Sequence, residues 1–231
     1  MTLHDNGYQY LRYGGAMPLL HDAIEIRHIR VDHHGNPALD DVSATIPPAS
    51  VTAIHGSNGS GKSTLLAVIA GVHRPSHGTV TVGGTPLTTR VAFVAQRSQV
   101  PDGLPLTVRD VVTMGRWAVR GAWRPLRRDD RDIIAESITA LGLDALVSRP
   151  LHTLSGGQRQ RALVAQGLAQ RAGILLLDEP TVGLDDEARD LIDAAISRER
   201  QRGVAVVHAT HDADVIASAD HRIHLSAGRV L

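Results

Sequence analysis

The 231-residue sequence contains no cysteine, which excludes disulfide bonds, thiolate zinc sites and cysteine nucleophiles. It also lacks any apolar run approaching the roughly 18 residues that a membrane-spanning helix requires. Its first residues, MTLHDNGYQYLRYGG, do not have the basic and then apolar build of a signal peptide. If the protein works at a membrane, another chain is therefore expected to span it.

Excess charge of either sign is absent as well. Lys and Arg total 24, as do Asp and Glu, so the net charge gives no indication of a nucleic-acid or membrane-surface partner, and no nucleic-acid partner is expected. The length is enough for one domain with a full core, or for one domain with an inserted subdomain. The 13 histidines are scattered and are interpreted mainly as surface or half-buried residues.

Strand-like and helix-like segments alternate along most of the chain. VTAI, VAFVAQ, GILLLDEP and VAVVHATHD are typical of buried strands, whereas STLLAVIAGV and DEARDLIDAAISRERQRG have helical spacing. AIEIRHIRV is predicted as a further strand, and HGNPALDDV as the turn that leads back into SATIPPASVTAIHG. The alternation predicts an α/β fold with a mainly parallel central sheet covered on both faces.

Between VAFVAQ and GILLLDEP the pattern changes to helical segments interrupted by Gly and Pro. This change predicts a helical subdomain over residues 104–172, inserted into a core formed by residues 23–103 and 173–231. Residues 1–22 are polar and lack periodicity, and they are predicted to form an N-terminal extension of unknown purpose.

A glycine-rich stretch, GSNGSGKST, follows a predicted strand and opens a predicted helix, which is the setting that a phosphate-binding P-loop requires. Its glycines let successive backbone N–H groups turn toward phosphate oxygens, and the helix N-terminus adds positive potential. Lys62 is expected to reach the β- and γ-phosphates, and the Ser63 hydroxyl to ligate Mg²⁺. The predicted nucleotide-binding residues of the loop are Gly56, Ser57, Asn58, Gly59, Ser60, Gly61, Lys62, Ser63 and Thr64.

Two carboxylates, Asp178 and Glu179, follow the aliphatic run ILLL and therefore emerge at the carboxyl end of a predicted central strand, where open α/β sheets bind ligands. Asp178 suits a water-mediated contact with Mg²⁺, and Glu179 is the candidate general base for the attacking water. By itself, an acidic pair at a strand end is more often a solvated turn. The P-loop elsewhere in the chain favours the catalytic interpretation.

A second glycine turn occurs in LSGGQ, where Ser155 is predicted to cap a helix. Gly156 and Gly157 would expose the first backbone amides of that helix and so present a second anion site. This site has no lysine and is expected to bind phosphate less strongly than the P-loop does.

The stretches GSNGSGKST, LSGGQRQR, ILLLDEP and ATHD, in this order, resemble the ATP-binding subunit of ABC transporters over nearly all of the chain from Ile24 onward. The resemblance implies a P-loop NTPase fold with an N-terminal antiparallel β portion, and an ATPase that uses ATP and Mg²⁺. It also implies a head-to-tail pair of two copies. In such a pair the LSGGQ turn of one copy contacts the γ-phosphate that the P-loop of the other copy holds.

Individual roles carry over from this family by motif. Gln96 resembles the glutamine that touches Mg²⁺ or the attacking water, and His211 resembles the switch histidine that contacts the γ-phosphate. The resemblance thus implies Glu179, His211, Gln96 and Asp178 as catalytic residues, and Ser63, Gln96 and Asp178 as Mg²⁺ ligands. The residues implied to contact the ATP of the second copy are Ser155, Gly156, Gly157, Gln158 and Asp185.

The chain departs from the family pattern at three places. His34 stands where an aromatic residue usually stacks on adenine, so an imidazole is expected to take that role. Ser57 replaces a common proline in the P-loop and should make the loop slightly less rigid. Gly167 stands where alanine is common, and it costs the helix up to about 1 kcal/mol unless something packs closely against it.

The helical subdomain, with LTVRDVVTMGR and DRDIIAESITALGL, resembles subunits that serve zinc, manganese or iron-chelate importers. The resemblance implies membrane permease subunits and a solute-binding protein as partners, and a peripheral place on the cytoplasmic face of the membrane. Import of zinc or manganese is the favoured cargo assignment. Another cargo, export, a soluble ABC ATPase without a transport role, and a P-loop kinase for a small molecule stay open as alternatives.

Overall fold

The computed structural model describes residues 21–33, 36–87, 91–95, 105–121 and 123–231. Two of the predicted site residues, His34 and Gln96, and nearly all of the predicted N-terminal extension lie outside these ranges. The roles assigned to them stay predictions.

Along the described residues, helices separate groups of strands, and three α-helices together with two short 3-10 helices lie between Val108 and Ala169. The strands are β1 (Ile24–His33), β2 (Asn36–Ile46), β3 (Val51–His55), β4 (His77–Val82), β5 (Thr85–Pro86), β6 (Val91–Val94), β7 (Ile174–Asp178), β8 (Ala205–Thr210), β9 (His221–Ser226) and β10 (Arg229–Val230). The α-helices are α1 (Lys62–Ile69), α2 (Val108–Arg120), α3 (Arg128–Ala140), α4 (Gly156–Ala169), α5 (Asp186–Gln201) and α6 (Ala213–Ser218).

The larger sheet has the strand order β10-β9-β3-β8-β7-β6. All its pairs are parallel except the one that joins β10 to β9 at the edge. Every residue of β7 and β8 is buried, as expected for central strands with helices or a second sheet on both faces. The predicted α/β P-loop fold with a mainly parallel sheet is confirmed.

A smaller antiparallel sheet has the order β2-β1-β4-β5. The sequence HGNPALDDV was predicted as a turn, but from Asn36 onward it belongs to β2, which pairs with β1 from His33 to Ile24. The prediction was wrong because Gly, Asn, Pro and Asp favour turns locally, whereas Leu39 and Val42 of the same stretch are fully buried in the core. Burial of these side chains outweighs local turn preference.

The strand β7 divides the core into two apolar clusters. Its alternating side chains send Leu175 and Leu177 to one cluster, shared with α2, α3 and α4, and Ile174 and Leu176 to the other, shared with α1 and the antiparallel sheet. The helices of the predicted helical subdomain therefore share an apolar core with the sheet that carries the phosphate loop. None of the helices in the described ranges combines the length and apolarity needed to cross a bilayer.

Two glycines let α4 pack closely against both β6 and α2. A Cβ added at Gly167 of α4 would lie 2.6 Å from Cγ2 of Val94 in β6, so this glycine sits directly on the sheet. A Cβ added at Gly115 of α2 would lie 2.3 Å from the backbone oxygen of Gln166 in α4. Close packing thus accounts for the glycine at position 167 and sets the height of α4 above the sheet.

Beside this contact, a buried ion-pair network joins α2 to α3. Asp130 is fully buried, and it accepts from Nε of Arg116 at 2.9 Å and lies 2.7 Å from Nε of Arg120. Nη1 of Arg116 also donates to the backbone oxygen of Ala169, at the end of α4, at 2.9 Å. The three helices are therefore tied together at the C-terminal end of α4.

Replacing Gly115 with Ala should lower the free energy of unfolding by about 1–3 kcal/mol, because the new methyl group meets a backbone atom and must push α2 away from α4. Helix propensity alone would change stability by about 1 kcal/mol in the opposite direction. Urea unfolding measures the difference, with Ala118→Gly at an exposed position of α2 calibrating the propensity effect. A Gly115→Ala variant as stable as the parent would contradict the close packing.

Candidate active site

The glycine loop between β3 and α1 is shaped by close backbone approach. Gly56, Gly59 and Gly61 have φ angles of 151°, 77° and 104°, which residues with a side chain rarely adopt. A Cβ at Gly56 would lie 2.0 Å from the backbone oxygen of Leu225, and one at Gly61 would lie 2.7 Å from that of Ala38. Neighbouring strands thus hold this loop in its curled shape.

Lys62, the first residue of α1, folds its side chain back over the loop. Its Nζ donates to the backbone oxygens of Gly56 at 2.9 Å and Ser57 at 3.1 Å, and the residue is only 6% exposed. Lys62 is also the only lysine in the sequence. The ammonium group therefore lies inside the curl of the loop. A phosphate group bound there would interact with the positive charge of Lys62 and with the N-terminus of α1.

Asp178 ends β7 next to the start of α1 and is 2% exposed. Burial raises the pKa of its carboxyl group, a hydrogen bond from the Ser63 side chain lowers it, and the neighbouring Glu179 raises it again. The structure thus brings together two of the three predicted Mg²⁺ ligands. A hydroxyl and a buried carboxylate are hard oxygen donors that fit Mg²⁺, and a divalent cation would offset the desolvation of the carboxylate.

Glu179 lies beside His211, as the catalytic assignment requires. Oε1 of Glu179 is 3.4 Å from Nδ1 of His211, and the Glu179 side chain is largely buried. The backbone of Glu179 has a φ of 48°, and its N–H donates to the backbone oxygen of Ala209 in β8 at 3.0 Å. This left-handed turn directs the side chain away from the line of β7 and into the cleft above the glycine loop.

The cleft above the glycine loop has a volume of about 460 Å³. His33 and Ala38, which the sequence patterns did not single out, belong to its lining. His33 packs edge-on against His73, with ring centroids 5.1 Å apart. The predicted residues that line the cleft are Asn58, Gly59, Gly61, Lys62, Ser63, Thr64 and Glu179.

The LSGGQ turn forms a complete helix cap in a different part of the molecule. Oγ of Ser155 accepts from the backbone N–H of Gln158 at 3.2 Å, and Oε1 of Gln158 accepts from the backbone N–H of Ser155 at 3.1 Å. Gly157 lies close to Leu184, because an added Cβ there would be 3.3 Å from its Cδ2. Among the described residues that line the cleft, none comes from this turn.

Asp185 also has a structural role within its own chain. Its Oδ1 accepts from the backbone N–H of Ala188 at 2.9 Å, which makes Asp185 the N-cap of α5. One turn later, Nη1 of Arg189 lies 3.4 Å from Oδ2 of Asp212, the residue that follows His211. The start of α5 is therefore connected to the strand end that carries His211.

Comparison with known families agrees with this site. The sequence pattern of the family described as "ABC transporter" matches residues 39–182, which include the glycine loop, the LSGGQ turn and the acidic strand end. The chain belongs to the ABC transporter family. As in that family, its glycine loop is that of an ATPase.

The chain is also similar to curated ATP-binding proteins of metal import and transport systems. The nickel import ATP-binding protein NikO of Rhodobacter capsulatus is 37% identical over 90% of this chain and 87% of its own length. The zinc transport system ATP-binding protein TroB of Treponema pallidum is 36% identical over 90% and 80%. The manganese transport system ATP-binding protein MntA of Synechocystis is 36% identical over 82% and 75%.

Solved ABC structures share the fold over nearly the whole chain. The dimeric bacterial ABC transporter cassette MJ0796 is 25% identical, covers 90% of this chain and 96% of its own, and superposes with a TM-score of 0.78. The protein cbiO1 from Clostridium perfringens, part of the ABC transporter complex cbiONQ, is 27% identical, with coverage of 91% and 87% and a TM-score of 0.73.

Close to His211, a second histidine is buried in β8. His208 is 1% exposed, and its Nε2 has no hydrogen-bond partner among the described residues. Burial lowers the pKa of this imidazole to about 4, against a smaller opposing effect of Asp212. His208 therefore stays neutral in the folded protein at neutral pH, and protonation favours the unfolded chain.

His208 should make the protein less stable in acid. Because its folded pKa lies below the unfolded value of about 6.5, its contribution is fully present above pH 6.5 and falls as the pH drops toward 4, by up to about 3 kcal/mol. Urea unfolding between pH 7.5 and 5 should show a smaller loss of stability for His208→Leu than for the parent. The exposed control His221→Leu should keep the parent's loss, and an unchanged loss in His208→Leu would contradict the assignment.

Proposed function

We propose that two copies of this chain pair head to tail around two ATP molecules and that ATP hydrolysis by the pair powers a membrane permease. The observation that carries the proposal is the separation of its two phosphate-directed helix ends: α1 opens at the cleft, whereas the start of α4 does not line it. A second copy would bring the start of its own α4 to the ATP held in this cleft.

ATP binding follows from the geometry of the loop. Backbone N–H groups of the curled glycine loop and the N-terminus of α1 would face the β- and γ-phosphates. Lys62 would exchange its two carbonyl partners in the loop for phosphate oxygens. Adenine is expected to stack on an imidazole, either that of His34, as the sequence predicts, or that of His33, which lines the cleft.

Hydrolysis would take place between the ends of β7 and β8. Glu179 would accept a proton from the attacking water. His211, whose Nδ1 lies 3.4 Å from Oε1 of Glu179, would orient this carboxylate and contact the γ-phosphate. Ser63 and Asp178, with Gln96, would hold Mg²⁺, which neutralises charge on the β- and γ-phosphates. Left-handed backbone at Glu179 keeps the carboxylate directed into the cleft.

The LSGGQ turn would complete the ATP site of the partner copy. The residues that would contact the γ-phosphate lie at the N-terminus of α4, the positive end of the helix dipole. They are Ser155, Gly156, Gly157 and Gln158. Asp185 would extend toward the partner from the N-terminus of α5.

Glu179→Gln should bind ATP without hydrolysing it and should accumulate as a dimer, because the general base is lost while the phosphate contacts stay. Adding Ser155→Arg to this background should abolish ATP-driven pairing, because a bulky cation replaces a small cap at the contact with the partner's ATP. Light scattering with and without ATP measures pairing, and nucleotide fluorescence measures binding by the single chain.

A matched control is Thr153→Arg, which adds the same charge at an exposed position just before the turn. It should pair like the parent. Pairing that persists in the Ser155→Arg variant would contradict the contact in trans, and a Glu179→Gln protein that stays monomeric with ATP would contradict the head-to-tail pair.

The cargo we propose is a transition metal, zinc or manganese, moved inward. The support comes from the names of the relatives, which include zinc, manganese and nickel transport systems, and from the resemblance of the helical subdomain to subunits of metal importers. Membrane permease subunits and a solute-binding protein would complete the transporter, with this chain on the cytoplasmic face of the membrane. The alternatives are an iron chelate or another small solute as the cargo, or export in place of import.

Cells in which the gene carries Lys62→Ala should lose transport, because the ammonium that faces the phosphates is removed. Total cellular zinc, manganese, nickel and iron, measured under metal limitation, should show a selective fall in zinc or in manganese. A fall confined to nickel or iron would name a different metal cargo. Unchanged levels of all four metals would contradict metal import and leave the ATPase assignment in place.

A further inference from the structure

The turn that joins α4 to β7 contains a residue in an unfavourable backbone conformation. Arg171 has a φ of 51°, in the left-handed region that a residue with a Cβ adopts at some cost. Glycine would fit this position without strain. At this position, contacts of the arginine side chain are expected to offset the cost.

The Arg171 side chain contacts carboxylates on both sides of the turn. Its Nη2 pairs with Oε2 of Glu136 in α3, and its Nη1 lies 3.8 Å from Oε1 of Glu199 in α5. Glu199 is 7% exposed and also accepts from Nη1 of Arg202 at 2.8 Å. One helix thus belongs to the predicted helical subdomain and the other to the predicted ATPase core. The set Glu136–Arg171–Glu199 is called the Arg171 bridge below.

The Arg171 bridge lies next to the C-terminal end of α4, close to the point where this helix contacts the sheet. Gly167 rests on the sheet against Val94, and the helix extends from this contact point in both directions. At 1.5 Å per residue, the start of α4 at Gly156 is roughly 16 Å from Gly167, whereas the last residue of the helix, Ala169, is only roughly 3 Å from it. A tilt of α4 about Gly167 would therefore move the LSGGQ end several times further than the end that leads into Arg171.

We propose that Arg171 is a positioning residue, which holds α4 at the angle that lets the LSGGQ turn reach the ATP of a second copy. This inference rests on the proposed head-to-tail pair. The bridge joins α3, the turn before β7 and α5, so it limits rotation of α4 about Gly167. It lies at the far end of α4 from Ser155 and does not line the ATP cleft, so ATP binding by a single chain does not depend on it.

The strength of the bridge depends on pH through its buried carboxylate. Three charged side chains act on the Glu199 carboxylate: Arg171 in the turn before β7, Glu136 in α3, and Arg202 directly after the end of α5. Burial raises the pKa of Glu199 to about 7, Arg171 opposes this effect and Glu136 adds to it. The charged arm between Arg171 and Glu199 therefore forms as the pH rises through about 7 and is lost as the pH falls below it.

Pairing in the Glu179→Gln background tests the role of Arg171. The ATP concentration that gives half-maximal pairing should rise by roughly fivefold or more in Arg171→Ala, the lower end of the usual coupling between sites. ATP binding by the single chain should be unchanged, and Arg171→Lys should restore much of the pairing. The exposed control Arg198→Ala on α5 should behave like the parent.

Pairing at two pH values tests Glu199. The parent should pair more readily at pH 8 than at pH 6, whereas Glu199→Gln should pair at both values as the parent does at pH 6. Normal pairing by Arg171→Ala, or loss of ATP binding in step with pairing, would overturn the inference. An undiminished pH difference in Glu199→Gln would overturn the part assigned to Glu199.

A distance measurement separates this inference from the head-to-tail proposal. Because the chain has no cysteine, His152→Cys and Ala217→Cys would be the only sites for spin labels, one beside the LSGGQ turn and one on α6. The distribution of distances between them should broaden in Arg171→Ala without any nucleotide. If the Glu179→Gln parent fails to pair, the head-to-tail proposal fails, and the label distances still decide whether Arg171 positions α4. Unchanged distances would show that it does not.

Discussion

The burial of β7 on both faces is the constraint on which the catalytic edge depends. Its side chains enter two different apolar clusters, and the strand pairs with β6 and β8 on either side. In this register Asp178 lies opposite Ala209 and is the last residue of the strand. A slip by one residue would draw Glu179 into the core, where an unpaired carboxylate is costly. Apolar packing thus sets the position of both carboxylates.

Around this edge, close backbone packing and desolvation produce a site suited to phosphate and a cation. The glycine loop leaves no room for side chains at Gly56 and Gly61, so its backbone N–H groups become the binding groups. Lys62 and Asp178 are both nearly buried beside it, and burial keeps the pKa of Asp178 above its usual value. Partly desolvated groups of opposite charge are typical of a site that gains its full stabilisation only when a ligand binds.

The helical subdomain reaches the same sheet through glycine contacts. Gly167 lets α4 lie directly on β6, and Gly115 lets α2 lie directly on α4, within the apolar core that these helices share with the sheet. The Asp130 network and the Arg171 bridge then connect the C-terminal end of α4 and the turn after it to α2, α3 and α5. Packing at Gly167 sets where α4 contacts the sheet, and the ion pairs of Arg171 would restrain rotation of α4 about this contact.

Features that arise within a short run of consecutive residues could be predicted from the sequence alone. The strand–loop–helix around Lys62, the cap at Ser155 and the carboxylates after ILLL depend on local backbone chemistry, and their order indicated the family. The folded structure was needed to show that Asn36–Ile46 is a strand, that His33 lines the cleft, that His208 is buried and that Arg171 bridges α3 and α5. Each of these depends on burial or charge shared with residues distant in the chain, and such contacts leave no periodic pattern in the local sequence.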